Sequence, residues 1–489
     1  MKRVMVALGL MLCMAAPAFA VDFTFHGDFN HQFRLYSNHN DFMMGEASTS
    51  TKNQGKLISK DSSSDTFGLI KYRMWTTASS DDGAVKGVFA VELGGIRFGQ
   101  SDKGGGFSGD GKNLEIRWAY TDFALAGGRV KIGLQPFKVN KFLWSETAMG
   151  IDYKRGDLEL AWMRGYEVLN EDGNDDFKDL DGFLVRYNIK PTDSVNIGLF
   201  GLWQTSNGAT GSDMDALDAE YAAAEDAVSA AEDAFDSAAT ADNLATLTAA
   251  QAALASAETD ATFSEENYLK KLTDIDINLY TLGVDGGMTA GNLFVNWDLM
   301  YQFGDLADDM DFGGYLGHLD LGMKMGAGKL TYTFWYASGD DNPDDGDYDA
   351  FIATDVDTSA SYSSIVLFES ITDDNFFSTV PYIMDKGFIM NRVGYEYQVS
   401  DKLTVNAAAM YMMTAEDIEY TVGSEEYSDD SIGFEFDAGV SYKLYKSLTL
   451  SAQVGYLMAD DALDYYEVDN DGNSDEDIYV INSGLRYKF

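Results

Sequence analysis

The sequence predicts an all-β transmembrane fold. The expected architecture is an antiparallel up-and-down β-barrel of 18 strands, with an α-helical hairpin inserted in one extracellular loop. A barrel of 16 strands is the alternative. Three observations carry the prediction. Segments of alternating apolar and polar residues recur along the chain, and a strand of period two then has one greasy face and one wet face. Short turns alternate with long polar loops, an up-and-down rhythm with one short side and one long side. Beyond residue 20 no apolar run is long enough to cross a bilayer as a helix. The 48 glycines, 5 prolines and 13% aromatics suit many strands joined by tight turns. A soluble β-sandwich would explain the alternation, but not so many strands in one rhythm.

Residues 1–20 read as a signal peptide. Lys2 and Arg3 start it, Val4 to Met14 form its apolar core, and Ala18-Phe19-Ala20 is a small-x-small cleavage site, so the mature chain is expected to begin at Val21. Cys13, the one cysteine, sits in that core behind Leu12, which departs from lipoprotein processing. Disulfide and thiolate chemistry are then not expected in the mature chain. Without Lys2 and Arg3, 32 basic side chains face 80 acidic ones, a net of −48. Such a charge argues against a nucleic-acid partner.

In chain order, the first strand puts Phe23, Phe25, Gly27, Phe29, Phe33 and Leu35 on one face, interrupted by His31. Asp22, Thr24, His26, Asp28, Asn30, Gln32 and Arg34 lie on the other. Tight turns are expected at Ser80-Asp81-Asp82-Gly83, Ala126-Gly127-Gly128, Arg155-Gly156-Asp157, Pro191-Thr192-Asp193, Thr289-Ala290-Gly291, Gly326-Ala327-Gly328, Ser400-Asp401-Lys402 and Tyr445-Lys446-Ser447. Longer excursions are expected at 38–64, 100–111, 139–147, 169–179, 205–273, 305–313, 339–386, 416–431 and 460–476. Eight turns and nine loops make 18 strands and bring both ends of the mature chain to the short-turn side. The fifth strand points Val130, Ile132 and Leu134 outward, with Lys131, Gly133 and Gln135 inward; the eighth points Phe183, Val185, Tyr187 and Ile189 outward, with Arg186 and Asn188 inward. The last strand alternates Tyr479, Ile481, Ser483, Leu485, Tyr487 and Phe489 with Asn482, Gly484, Arg486 and Lys488. In hydrocarbon an unpaired backbone amide costs several kcal/mol, so the sheet must close on itself. Eighteen strands leave room for an aqueous lumen. The acidic residues concentrate in the long loops, notably 171–176, 340–349 and 469–477, where charge is solvated.

Residues 212–262 contain no Lys or Arg and are rich in Ala, Asp, Glu, Ser and Thr. Ser212 and Asp213 can cap a helix. Leu217, Tyr221, Ala224, Val228, Ala231 and Phe235 recur at spacings of four and three, as do Leu247, Ala250, Leu254 and Ala257 after a break near 240–243. Two such stripes predict an antiparallel helical hairpin, on the order of 40 Å long. A solvated low-complexity insertion is the alternative. A spacer, an adhesin-like arm, a docking site and a partial lid are all open as its role.

Three segments resemble Gram-negative general diffusion porins: Val21 to Gly27; the hairpin Arg117 to Phe137 with the loop to Gly150; and the end Leu485-Arg486-Tyr487-Lys488-Phe489. The terminal Phe resembles the assembly signal of outer-membrane barrels, carried here by Tyr487 and Phe489. The nearest branch is that of the porins of sulfate-reducing bacteria. The resemblance implies a homotrimer in the cell outer membrane, in contact with lipid and lipopolysaccharide and inserted by the barrel assembly machinery. It also implies that the loop after the fifth strand folds into the barrel as a constriction. Here that loop is short, and an extra hairpin near the C-terminus departs from the pattern.

The expected site is a charged narrowing. Strand parity places Arg34, Lys71, Arg73, Lys86, Arg117 and Lys131 on one lumen wall, with Glu92 and Glu115 among them. Loop 138–149 adds Lys138, Lys141, Trp144 and Glu146. Such charges either set ion preference or simply wet the wall. No cofactor is expected. Asp469, Asp471, Asn473, Asp475 and Asp477 have a spacing that could wrap Ca²⁺, with Gly472 two places too early for an EF-hand; a solvated acidic loop is the alternative. His26, His31, His39 and His318 form no local catalytic constellation, so an enzyme is not expected. The expected function is passive diffusion of ions and small hydrophilic solutes. The alternatives are a solute-selective uptake channel and a surface-binding or structural barrel that uses the helical arm.

Overall fold

The computed structural model describes residues 21–39, 63–100, 105, 114–166, 180–207, 276–306, 310–342, 346–354, 356, 364–367, 386–422, 425–466 and 477–489, with parts of 223–251. The predicted signal peptide lies outside these residues. Twenty strands form one sheet. They are β1 (Asp22–His39), β2 (Ser63–Ser79), β3 (Val85–Arg97), β4 (Glu115–Leu125), β5 (Gly128–Pro136), β6 (Thr147–Arg155), β7 (Leu158–Tyr166), β8 (Leu180–Thr192), β9 (Val195–Asn207) and β10 (Asp276–Ala290). There follow β11 (Leu293–Leu306), β12 (Met310–Phe312), β13 (Tyr315–Met325), β14 (Gly328–Ala337), β15 (Asp347–Tyr348), β16 (Phe388–Gln398), β17 (Leu403–Val422), β18 (Glu425–Tyr445), β19 (Leu448–Ala459) and β20 (Ile478–Lys488). The short β12 and β15 pair parallel with each other above the sheet proper. The other eighteen run antiparallel, each beside its sequence neighbours, and close into a barrel where β1 meets β20.

Closure runs from Asp28 opposite Lys488 to Ser37 opposite Tyr479. Phe489 extends it, because its N–H and C=O exchange bonds of 3.1 and 3.0 Å with the Gly27 backbone. Its ring lies where a side chain on residue 27 would project, so glycine there leaves the ring its place. Phe489 also meets Phe29 edge-on at 5.6 Å and Tyr487 at 5.3 Å.

All eight predicted tight turns join adjacent strands, with the fourth shifted to 193–194. The predicted loop at 416–431 is a correction. Residues 414–422 and 425–432 continue as strand beyond the ends of the flanking β16 and β19. Acidic side chains there suggested a loop, but one face of the hairpin is covered: Thr414, Ile418 and Ile432 are buried, and β-branched residues favour extended backbone. A bulge starts the extension, at Gly433 with φ 127°, a conformation other residues resist. In the 212–262 insertion the described residues 223, 227–228, 230–231, 234 and 245–251 are helical. Val228, Ala231, Leu247 and Ala250, all on the predicted seam, are less exposed than the other described helical positions.

The outer surface is apolar. Phe25, Phe33, Phe89, Ile116, Val185, Leu282, Leu299, Val393, Phe436 and Ile481 point away from the lumen and are exposed. Near the long-loop end, Phe183, Trp203, Tyr280 and Phe303 stack in register across β8 to β11 at centroid spacings of 5.1, 6.0 and 5.3 Å. Tyr395, Tyr397, Tyr442 and Tyr487 mark the short-turn end. Two aromatic bands around an aliphatic belt are how a barrel meets the two interfaces of a bilayer.

Candidate functional site

The hydrophobic core of this protein lies inside the barrel. Among the described residues, two loops fold inward, and the 3-10 turn at Asp461–Tyr466 adds Ala462 and Leu463 to the cluster. The first joins β5 to β6. Phe137 N–H donates to Glu146 C=O and Val139 N–H to Trp144 C=O, both at 2.9 Å, which makes residues 137–146 a self-paired finger. Asn140 turns its tip: the side-chain oxygen accepts from Phe142 N–H at 2.9 Å, an Asx turn. Its amide nitrogen donates to Asp298 Oδ1 at 2.7 Å. Arg186 donates to Val139 C=O at 3.2 Å and pairs with Asp285 at 2.5 Å. Phe142 is fully buried against His318 and Trp335, with centroids at 4.5 and 4.8 Å. The finger leaves the fifth barrel strand and ends on β14, the thirteenth, so it crosses most of the barrel's width.

The second loop joins β14 to β16. Ile352 exchanges two 2.8 Å bonds with the Gln302 side chain. Thr354 Oγ1 accepts from Gln204 at 2.8 Å, and Thr354 N–H donates to Leu143 C=O of the finger at 2.8 Å. Further on, Ser364 Oγ, Ile365 N–H and Val366 N–H all donate to the carboxylate of Glu435, at 2.5, 2.9 and 3.0 Å. Phe351, Ala353, Val356, Ile365, Val366 and Leu367 are buried and join the finger in one apolar cluster with Phe388, Met390, Met410, Met412 and Leu457 of the wall. Fully burying a side chain of this size is worth about 1.5–3 kcal/mol, which is why the loops remain inside rather than in the solvent above.

Burial runs almost all the way round the ring. Every barrel strand except β4 carries at least one buried lumen-facing residue, from Arg34 on β1, through Gln135, Met163, Gln204 and Gln302, to Glu435 and Asn482. On β4 the inward Arg117, Trp118, Tyr120 and Asp122 are all partly exposed, as is Lys131 beside them on β5. A bulge opposite Ala90 and Val91 turns both Arg117 and Trp118 toward the lumen. Trp118 packs edge-on to Trp75 at 5.8 Å, and Trp75 stacks on His26 at 5.3 Å. The least obstructed sector of the lumen is therefore the β4 wall, lined by cations and aromatic rings.

That sector belongs to the predicted basic wall. Glu92 on β3 gathers three of its members: Lys71 at 3.5 Å, Arg117 at 2.9 Å, and Arg73 in direct contact. One carboxylate thus holds three cations. Lys131 lies 3.9 Å from Asp152 on β6, and Lys86 stands opposite Asp122 near the short-turn end. Arg34 is only 1% exposed, so its side chain is covered rather than open to lumen water. In the finger, Lys138 is exposed and Lys141 Nζ rests 4.6 Å from the Phe142 ring centre. Trp144 does not face the lumen: it is buried against β8, where any side chain at Gly182 would come within 2.9 Å of it. Glu146 is exposed and accepts from Thr147 N–H.

Glu146 is the one carboxylate of the finger. Others oppose the basic wall from the far side of the barrel, Asp285 on β10, Asp298 on β11 and Asp320 on β13, eight strand positions around from β2 to β4. Strand parity would have found all three, but the surplus of acid was assigned to loops. Asp298 and Asp320 flank His318, at 2.8 and 3.3 Å. At the outer mouth, on the hairpin beyond the sheet, partial burial and then Asp341 hold the Glu416 carboxyl above its usual range, against the pull of Lys386. Partial burial, then Asp417 and Asp429, raise Asp430 likewise. Asp469, Asp471, Asn473 and Asp475 lie outside the described residues; Asp477 accepts from the Tyr456 hydroxyl.

No protein-family model matches the chain, and no curated protein matches it. Among solved structures it is similar to Pseudomonas aeruginosa OpdL, with 8% identity, 96% of this chain and 99% of that one covered, and a TM-score of 0.50. P. aeruginosa OccK11 (OpdR) covers 96% of each chain at 9% identity with a TM-score of 0.49. P. aeruginosa OccK9 (OpdG) matches at 11% identity over 96% of this chain and 98% of its own, also at 0.49. Identities this low speak for the fold alone. With the closed sheet, the outward apolar belt and its two aromatic bands, the chain is an 18-stranded β-barrel of the outer membrane.

Proposed function

We propose that the protein is a solute-selective channel for small anionic solutes. The observation that carries this is the filled lumen: every barrel strand but β4 carries a buried lumen-facing residue, while at β4 Arg117, Trp118 and Tyr120, with Lys131 beside them, are within reach. A general diffusion porin needs an open eyelet, so the selective alternative fits this interior better than unselective passage. The surplus of cations around Glu92, facing acidic residues across the lumen, supports a transverse field that favours anions along the β4 side.

A planar bilayer tests the reading. Single channels should be of low conductance and favour anions, and the current should saturate with a small carboxylate as the permeant ion. A large, ohmic, unselective conductance would overturn it. Arg117→Ala should move the reversal potential toward cations. A unit charge ~4 Å from an ion is worth about 1 kcal/mol even in water, so the anion-to-cation permeability ratio should fall roughly fivefold.

A further inference from the structure

We propose that Trp118 is the size-determining residue of the channel, a fixed indole sill that solute must pass along the β4 wall. The proposal rests on the channel reading above. The sheet register builds the sill. His26 on β1 lies opposite Trp75 on β2, Trp75 opposite Ala90 on β3, and Ala90 opposite Trp118 on β4, so the four form one lumen-facing row across the wall. Ala90 is 2% exposed and carries only a methyl group, and the two indoles meet across it, edge-on at 5.8 Å. A longer side chain there would stand between them. Trp75 is held from its other side by the His26 ring, stacked at 5.3 Å.

Trp118 is held at its far edge as well. Its indole N–H donates to Thr147 Oγ1 at 3.3 Å. Thr147 opens β6 directly after the finger. The ring therefore reaches from β4 across β5 to the root of the finger. The lumen-facing Gln135 of β5, which lies between, is 0% exposed. An indole turns about only two side-chain bonds, so contacts at both edges leave it little freedom. The row also interrupts the charge of the wall. Toward the long loops, the next row pairs Arg73 with Glu92, and the Arg117 guanidinium stands 5.9 Å from the Trp118 ring centre. Toward the short turns, Tyr120 lies opposite Val88, and Lys131 Nζ stands 5.9 Å from the Tyr120 ring centre. An anion that moves from one set of cations to the other must pass the Trp118 indole. The cations select its charge, and the indole, uncharged and fixed, limits its width.

Neutral polymers measure the width. A poly(ethylene glycol) that enters a channel lowers its conductance, and one that is excluded does not. In planar bilayers, Trp118→Ala should raise the single-channel conductance about twofold and admit larger polymers than wild type. Its anion-to-cation permeability ratio should change less than that of Arg117→Ala, because no charge is removed. Trp118→Phe keeps a ring but loses the bond to Thr147, so its cut-off should fall between the two, and it carries the test if the alanine variant does not fold. Trp203→Ala removes an indole from the outer surface and should leave the cut-off where it is. Retention of the folded, heat-modifiable band on gels shows that each variant is a barrel. A polymer cut-off unchanged in the Trp118 variants would overturn the sill, as would an equal change in Trp203→Ala. Cation-selective channels whose cut-off still rises in Trp118→Ala would overturn the anion reading and leave the sill standing. Silence of the wild type would overturn the channel reading, and the sill with it.

Discussion

Glu92→Ala is expected to destabilise the barrel more than loss of any one of the three cations it holds. The Glu92 side chain is 9% exposed, and those of Lys71 and Arg73 are 7% and 10% exposed. Removing the carboxylate leaves these two cations buried without it. Breaking a buried pair in this way costs about 3–5 kcal/mol. Arg117, at 23%, can turn toward lumen water and recover some of its share. The value should therefore lie toward the lower end, about 3 kcal/mol. Urea unfolding of the refolded protein, followed by tryptophan fluorescence, measures it. Glu92→Ala should also increase anion selectivity, because Lys71, Arg73 and Arg117 then act without the charge of Glu92. A variant as stable as wild type would show that lumen water solvates these cations and that the cluster is not held together by Glu92.

Loss of Phe489 is expected to act on assembly rather than on permeation. Its backbone forms the two terminal hydrogen bonds of the closing seam, and its ring covers Gly27 and leans on Phe29 and Tyr487. The residue is 49% exposed on the outer surface, so Phe489→Ala should remove about half of the 3–5 kcal/mol typical of a buried Phe, roughly 2 kcal/mol. Deleting the residue also opens the two bonds, worth about 1 kcal/mol each in water and more in hydrocarbon. The fraction of chains recovered as folded, heat-modifiable barrel in outer membranes should fall several-fold for Phe489→Ala and further for the deletion. Gly27→Leu should give the same defect from the opposite strand, since its side chain would claim the space of the ring. Normal recovery of all three would mean that the seam closes without its last residue and that Phe489 carries no assembly role.

The barrel was legible because its solvent boundary is written at period two. Phe23, Phe25 and Phe29 alternate with Asp28, Asn30 and Gln32 on β1, and the tight turns announce themselves through Gly, Asp and Ser. The hairpin at 414–432 was not legible as strand: Asp417, Glu419, Asp429 and Asp430 surround a single large apolar buried position on each arm, Ile418 and Ile432, so the alternation is too short to read. In the lumen, Lys71, Arg73 and Arg117 could be read from parity, and so could Glu92 as their partner. Trp118 reaches the lumen through a bulge that parity alone does not show. Trp144 misled because an aromatic residue in a loop can face solute or wall, and only the space left by Gly182 decides. The filled lumen could not be foreseen. Phe351, Val356, Ile365 and Val366 sit in a polar loop without period, and what buries them is the wall of strands far away in sequence.

A conducting path along the basic wall should show in the reversal potential of the purified protein in a planar bilayer under a potassium chloride gradient. Small, discrete channels with chloride the more permeant ion are expected, and a shift toward potassium in Arg117→Ala. Potassium selectivity in the wild type, unchanged in Arg117→Ala, would contradict such a path.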